Sequence, residues 1–256
     1  MKEFDKLKKI VADLRDPQTG CPWDLKQTPK SMIPNFIEEL YECIEAIEKE
    51  SSEDLEEELE DLMLHIVMQV QIAEEQRRFT MEGVLDKISS KLIRRHPHIF
   101  GDGVATDAEG VKLNWEKIKL QEKSHRKSVL EGVPKNMPAL IVAQRMQEKA
   151  AAVGFDWKSV EPAIKKLEEE TLEFDEAFQA NDRAEMENEL GDMLFSIVNI
   201  SRKLGFDTET ALRKTIDKFE RRFGYVERKF KAKERDMKKC SLAELDEVWD
   251  EAKAKE

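Results

Sequence analysis

The sequence predicts an all-α fold that is built from two copies of one helical domain. Of its 256 residues, 40% are hydrophobic and 38% are charged, and only 10 are glycine and 8 proline. Such a balance is typical of amphipathic helices, in which each helix buries an apolar stripe and exposes a charged face. Apolar residues recur at helical spacing in several segments, and no segment shows a convincing strand alternation.

The evidence for duplication is a set of acidic positions that recur 131 residues apart, as 170 minus 39 illustrates. These positions are Glu39, Glu42, Glu58 and Asp61 in the first half, and Glu170, Glu173, Glu189 and Asp192 in the second. Two basic motifs recur as well, namely Arg94-Arg95 with Arg221-Arg222, and Trp115-x-x-x-Lys119 with Trp249-x-x-x-Lys253. Glycine and prolines interrupt the helical pattern in LEGVPKNMPAL at 130–140, so we place the two domains at 1–130 and 131–256.

Two helix starts are predicted at equivalent positions of the two halves. Ser51 precedes Asp54 by three residues, and Asp182 precedes Glu185 in the same way. Both pairs resemble a capping box, in which a side-chain oxygen accepts a hydrogen bond from a free backbone N–H. The apolar face expected after Ser51 consists of Leu55, Leu59, Leu62 and Ile66. Further helical patterns cover 4–14, 30–49, 81–95 and 109–122, with a break at Pro97.

Composition excludes several classes of protein. The net charge of −12 argues against bulk attraction to nucleic acid or to an anionic membrane. The sequence has an odd number of cysteines, namely Cys21, Cys43 and Cys240, and no C-x-x-C motif. Both features argue against a disulfide framework or a thiolate zinc site. The charged N-terminus and the lack of an 18-residue apolar run predict a soluble cytoplasmic protein.

The acidic positions of the first half predict a cation site between two helices. A spacing of three places Glu39 and Glu42 on one helix face, and Glu58 and Asp61 on one face of the next helix. Two carboxylates about 5 Å apart repel by roughly 3 kcal/mol at an effective dielectric constant near 20. Either some carboxyls are therefore protonated or a cation lies among them. Ligands that offer only oxygen suit Mg²⁺ or Mn²⁺.

These residues have two other interpretations. A run of glutamates is ordinarily a solvated helix face, but the recurrence of Glu, Glu, Glu and Asp at fixed spacing favours a metal site. A di-iron site in a helical bundle would need Glu-x-x-His on two helices. Here the second motif of each half ends in Asp, and His65 has Ser196 at the matching position. That difference argues against di-iron.

The acidic motifs, together with GCPWDLKQT at 20–28, RRHPHIFGD at 94–102 and NWEKIK at 114–119, resemble the MazG family of all-α nucleoside triphosphate pyrophosphohydrolases. The resemblance covers the whole chain. It implies small helical-bundle domains that pair with their counterparts in a homodimer. It also implies Mg²⁺-dependent hydrolysis of nucleoside triphosphates to monophosphate and pyrophosphate, in the housekeeping or stress-related control of nucleotide pools.

The resemblance also implies roles for individual residues. The eight carboxylates of the two motifs would be metal ligands, and Glu38 and its counterpart Glu169 would orient or deprotonate the attacking water. The residues expected to contact the substrate are Trp23, Arg94, Arg95, Lys117, Lys119, Arg221, Arg222 and Lys253. For the arginines the alternative is a basic helix end that suits the helix dipole. For Trp23 the alternative is that its side chain packs in the hydrophobic core.

The two halves differ near the expected substrate site. GFDW at 154–157 replaces CPWD, RRFGYVE at 221–227 replaces RRHPHIF, and Glu251 stands at the counterpart of Lys117. We therefore expect base or phosphate recognition to differ between the copies. We also expect Ile44, Ile47, Val67 and Val70 to be exposed in a monomer and covered in a dimer. The alternative function is a non-catalytic, metal-dependent helical module that binds nucleotides or serves as a scaffold.

Overall fold

The computed structural model describes residues 2–104 and 127–255, together with the isolated positions 107, 110, 111, 114, 115, 118, 119 and 122. Every regular element in this part of the chain is helical, which confirms the all-α prediction. The chain forms two compact units, Met1–Val111 (unit 1) and Lys112–Glu256 (unit 2). The domain boundary between residues 130 and 131 stays a prediction. No described helix is long and apolar enough to cross a membrane.

Four longer helices and two short ones lie in the part of unit 1 that the structure describes. They are α1 (Lys2–Leu14), α2 (Pro22–Leu25), α3 (Ile33–Glu48), α4 (Ser52–Glu75), α5 (Met81–Arg95) and α6 (Pro97–Phe100). The Ser51 hydroxyl accepts a hydrogen bond from the Asp54 N–H at 3.3 Å, so the predicted start of α4 is confirmed. The break at Pro97 is confirmed as well, because α5 ends at Arg95. The pattern expected over 109–122 falls partly outside the described residues.

Unit 2 repeats the central helical hairpin of unit 1. Its elements from residue 127 onward are α7 (Ala139–Ala151), α8 (Glu161–Gln179), α9 (Arg183–Leu204), α10 (Thr208–Ala232), a 3₁₀ turn (Met237–Lys239) and α11 (Leu242–Lys253). The Asp182 carboxylate accepts hydrogen bonds from the N–H groups of Ala184 and Glu185, which confirms the predicted start of α9. Helix α9 is followed by Gly205, whose φ of 78° lies in the left-handed region that glycine adopts without strain.

The turns of the two hairpins match in backbone conformation. Glu50 before α4 and Asn181 before α9 both have positive φ, 55° and 54°. They lie 131 residues apart, as 181 minus 50 shows, and each directly precedes the capping residue of the next helix. A shared turn at this offset supports the interpretation that the halves are copies of one domain.

The core of unit 1 differs from the one that the apolar pattern of α4 predicts. Its buried residues include Val11, Met68, Val70, Ile72 and Met81. The four residues of the expected apolar face lie on α4, where Leu55 and Leu62 are half-buried and Leu59 and Ile66 are 52% and 44% exposed. Helix α4 packs against α1, α3 and α5, and the position of these neighbours decides which arc of the helix is buried.

The expected exposure of four apolar residues is correct only in part. Ile47 is exposed and Ile44 is half-buried. Val67 and Val70 are 2% and 5% exposed and belong to the core of unit 1, so their predicted exposure is wrong. They face the neighbouring helices that α4 contacts within its own unit.

Candidate functional site

In unit 1 the hairpin of α3 and α4 brings three carboxylates together. Oxygen atoms of Glu39, Glu58 and Asp61 lie within 4.8 Å of one another, and all three residues are half-buried. Glu42 is exposed and, among the described residues, is not a member of this group. Burial, followed by the charge of Glu42, nonetheless raises the pKa of Glu58. Three of the four predicted ligands are thus assembled.

In unit 2 the hairpin of α8 and α9 assembles a second group of three. Oxygen atoms of Glu170, Glu173 and Glu189 lie within 4.8 Å of one another, with Glu170 and Glu189 buried. Here the carboxylate outside the group is Asp192, which lines an adjacent cavity. The two units therefore gather different subsets of the same motif.

The electrostatics of both groups favour a bound cation. Burial, followed by the charge of Asp61, raises the pKa of Glu39. Burial, followed by the charge of Glu173, raises the pKa of Glu189 to about 7. One carboxylate oxygen of Glu189 is buried and has no hydrogen-bond partner among the described residues. A hard divalent cation would satisfy this oxygen and relieve the repulsion, so the donor sets fit such an ion.

Unit 2 also places the ammonium group of Lys166 beside its carboxylates, a contact that sequence reasoning missed. The Nζ of Lys166 lies 2.8 Å from Glu170 Oε1 and 2.6 Å from Glu169 Oε1. Its hydrogen bond to Glu170 lowers the pKa of that carboxyl despite burial. The signal was present in KKLEEE, because residues three and four apart on a helix are neighbours. Asn35 occupies the equivalent position in unit 1.

A cavity of about 740 Å³ in unit 2 begins at this cluster. Lys166, Glu170 and Asp192 line one part of it, and Phe155, Trp157 and Phe195 line another. Its volume lies within the range of small-molecule sites, and the combination of aromatic walls with a few charged groups is typical of them. The GFDW motif thus contributes directly to a cavity beside the carboxylates.

The GFDW segment is fixed to the C-terminal end of α9. The guanidinium of Arg202 donates to both oxygens of Asp156, at 2.6 and 3.1 Å, and Lys203 Nζ lies 2.8 Å from the same carboxylate. Lys203 also donates to the carbonyl of Trp157. Burial opposes ionisation of Asp156, but these hydrogen bonds outweigh it and lower the pKa. The ion pairs therefore hold the aromatic wall of the cavity in place.

The CPWD segment of unit 1 is held by a different residue. Arg15 is buried and forms a bidentate pair with Glu75 at 2.7 and 2.8 Å. The same guanidinium donates to the carbonyls of Asp24 and Gln27. Trp23, on α2, is 60% exposed, so it is not a core aromatic. Its contact with a base stays a prediction.

The remaining predicted residues are distributed around the two units. Glu38 and Glu169 are exposed next to their clusters. Among the basic candidates, Arg94 and Arg221 are exposed, Lys119 is half-buried and Arg95 is buried. The guanidinium of Arg222 lies 5.8 Å from the centre of the Trp249 ring. Lys253 Nζ lies 3.1 Å from the carboxylate of Asp250. Lys117 lies outside the described residues. The assignment of these side chains to the phosphates stays a prediction.

Comparison with known proteins agrees with the duplicated architecture. The profile of the MazG nucleotide pyrophosphohydrolase domain matches the chain twice, at residues 27–100 and 158–226. A nucleoside triphosphate pyrophosphohydrolase of Escherichia coli K12 is 43% identical over 260 residues, which cover 100% of this chain and 99% of that protein. A nucleoside triphosphate pyrophosphohydrolase/pyrophosphatase MazG of Thermotoga maritima is 45% identical over 251 residues, 98% of this chain and 95% of that protein.

Proposed function

The chain belongs to the MazG family of nucleotide pyrophosphohydrolases, and we propose that its acidic clusters hydrolyse nucleoside triphosphates to the monophosphate and pyrophosphate. The observation that carries this proposal is the cavity of unit 2. Its carboxylates suit a metal-bound triphosphate, and its aromatic wall suits a base. Turnover of this kind serves the control of nucleotide pools.

The predicted ligands would hold Mg²⁺, with Mn²⁺ as the alternative. They are Glu39, Glu42, Glu58 and Asp61 in unit 1, and Glu170, Glu173, Glu189 and Asp192 in unit 2. When bound, such a cation neutralises phosphate charge and lowers the pKa of a coordinated water. Glu42 and Asp192 complete the two sets as the family motif implies. Binding should release protons, because carboxyls such as Glu189 bind a cation only in the ionised form.

Lys166 would exchange partners when the substrate enters. In the free protein its ammonium pairs with Glu169 and Glu170. An incoming triphosphate offers oxygens of higher charge, so the ammonium would turn to a phosphate and leave Glu169 unpaired. Glu169 could then accept a proton from the attacking water, as Glu38 would in unit 1. The binding of substrate would thereby free the carboxylate of Glu169 to act as the general base.

The predicted contacts to the rest of the nucleotide follow the two motifs that differ between the copies. Phe155 and Trp157 would stack on the base in unit 2, and Trp23 would do so in unit 1. The basic residues expected to bind the phosphates are Arg94, Arg95, Lys117, Lys119, Arg221, Arg222 and Lys253. Because the aromatic segments differ in sequence, the two units would prefer different bases.

We also propose that the protein is a homodimer. An apolar stripe on α10 consists of Leu212, Ile216, Phe219 and Phe223, each at least 40% exposed. Their spacings of four, three and four place them on one helix face, and an exposed apolar stripe of this length marks an interface. No nucleic-acid or membrane partner is proposed for a chain of net charge −12. Three free cysteines suit the reducing cytoplasm.

Product analysis tests the proposed reaction. Purified protein, Mg²⁺ and a single nucleoside triphosphate are incubated briefly, and the products are separated by anion-exchange chromatography. We expect equal amounts of monophosphate and pyrophosphate. The sequence contains no G-x-x-x-x-G-K-[ST] loop, which P-loop chemistry at the γ-phosphate would need. A dominant diphosphate peak would contradict the proposal, and so would the absence of turnover with several different triphosphates.

A further inference from the structure

We propose that Gln147 recognises the base of the nucleotide in the cavity of unit 2, by accepting a hydrogen bond from an exocyclic amino group. Adenine, guanine and cytosine carry such a group, whereas uracil, thymine and hypoxanthine do not. This recognition rests on the proposed function, because it requires a nucleotide base to occupy the cavity. It adds the class of base that the cavity selects and the residue that selects it.

Gln147 lies on α7, lines the cavity and is 7% exposed. Its amide Nε2 donates a hydrogen bond to the carbonyl oxygen of Phe195 at 2.8 Å. A carbonyl oxygen can only accept a hydrogen bond, so the NH₂ end of the amide faces it and the orientation of the side chain is fixed. The other end of the amide, Oε1, can itself only accept a hydrogen bond.

The Oε1 atom of Gln147 is buried and has no hydrogen-bond partner among the described residues. Buried polar atoms normally have a partner, and one that lacks it calls for an explanation. A base that stacks on the aromatic wall of Phe155 and Trp157 would bring the missing donor. Because Oε1 is buried, an amino group, which projects beyond the edge of the base, reaches it more closely than a ring N–H, which lies within that edge.

Asn199 supplies the complementary group. It also lines the cavity, and its Oδ1 accepts hydrogen bonds from Nε and Nη2 of Arg202 at 3.2 and 2.7 Å, which leaves its Nδ2 as a donor. The carbonyl of Phe195 points along α9 towards residue 199, so the amide of Gln147 that binds this carbonyl lies close to Asn199. In adenine, guanine and cytosine the amino group adjoins a ring nitrogen that accepts a hydrogen bond. An acceptor beside a donor therefore matches this edge of the base.

Binding of nucleotides that cannot be hydrolysed tests the proposal on the full-length chain. The probes are α,β-methylene triphosphates in two pairs, adenosine with purine riboside and guanosine with inosine, and the members of each pair differ only in the amino group. Glu58→Gln weakens the metal site proposed for unit 1, so titrations of this chain with Mg²⁺ present report on unit 2. By calorimetry we expect the amino member of at least one pair to bind about 5-fold more tightly than its partner, or better.

Adding Gln147→Met removes the acceptor at nearly constant volume and should bring the affinities within each pair to within about twofold of each other. Gln144→Met is the matched control and should keep the preference, because Gln144 lies on α7 but is not among the residues that line the cavity. Equal binding within both pairs would overturn the proposal whether or not the Gln147 variant folds, and it would leave the proposed hydrolysis intact. A preference that a folded Gln147→Met chain retains would overturn it as well. A chain that binds none of the probes would contradict both this proposal and the proposed function.

Discussion

Glu189 illustrates how a single buried carboxyl links stability to function. It lies on α9 with one oxygen that lacks a hydrogen-bond partner among the described residues, and its pKa is raised to about 7 by burial and then by the charge of Glu173. Holding a carboxyl in this environment is unfavourable once it ionises. The same environment favours a cation, which supplies the missing partner.

Removal of this carboxyl should change how stability depends on pH in the metal-free protein. Below the unfolded pKa of 4.5 the group is protonated in both states, so its stabilising effect is fully present there. As the pH rises towards 7, the unfolded chain ionises first and stability is lost. Urea denaturation with a chelator should therefore show a steeper decline between about pH 5 and about pH 8 in the wild type than in Glu189→Gln. Equal slopes would contradict this prediction.

At this scale the sequence predicts the acidic positions better than their geometry. The spacing of three identifies Glu39, Glu58 and Asp61 as neighbours, and the structure brings them together. It does not reveal that Glu42 stays outside the group, because spacing fixes a helix face but not a side-chain direction. The buried Nδ1 of His65 has no hydrogen-bond partner among the described residues, which likewise depends on the residues that surround it in space.

At the scale of elements, Arg15 connects three segments of unit 1. It joins the end of α1 to Glu75 at the end of α4, and to the carbonyls of Asp24 and Gln27 before α3. The segment that carries Trp23 is thereby fixed against the helical hairpin. The two partners are 60 residues apart in sequence, so no local pattern predicts their contact.

Arg15→Ala should destabilise the protein by about 2 kcal/mol, because it leaves Glu75 and two carbonyls without their partner. This is below the usual cost of breaking a buried pair, since the side chain of Glu75 is 34% exposed. Lys9→Ala is the control, because it breaks only an exposed pair with Asp13 on the same helix and should cost at most about 0.5 kcal/mol. Chemical denaturation of both variants measures the difference; equal losses would contradict the assignment.

Helix starts and helix faces differ in how well the sequence predicts them. The caps at Ser51 and Asp182 are local interactions within three residues, and both are confirmed. The buried face of α4 depends on where α1, α3 and α5 lie, which no periodicity contains. This is why Leu59 and Ile66 are exposed although they match the helical period.

At the scale of the whole molecule, the duplication was predictable from the spacing of the acidic motifs. The cavity of unit 2 was not, because Phe155 and Trp157 come from the GFDW segment and Phe195 comes from α9. The copies share their hairpin and its turn but differ in what surrounds the carboxylates. We infer that the larger share of turnover belongs to unit 2, where the cavity adjoins the cluster.

The proposed homodimer gives a second prediction at this scale. Ile216→Glu places a charge in the middle of the apolar stripe on α10 and should shift the protein from dimer to monomer, since burying an unpaired charge is costly. Leu242→Glu is the control, because Leu242 is an exposed apolar residue on α11. Sedimentation velocity at micromolar concentration measures the state. A monomeric wild type would contradict the proposed dimer.

Pyrophosphate release by matched ligand variants tests the central claim most directly. Glu58→Gln and Glu189→Gln change equivalent members of the two clusters, the double variant changes both, and Glu53→Gln controls for loss of an exposed carboxylate on α4. On several nucleoside triphosphates we expect Glu53→Gln to be fully active and the double variant to be inactive. Each single variant of a cluster should keep part of the activity, and Glu189→Gln should keep less of it than Glu58→Gln. Undiminished pyrophosphate release by a folded double variant would contradict the account. If one single variant lost all activity on every substrate, the two-site reading would be wrong.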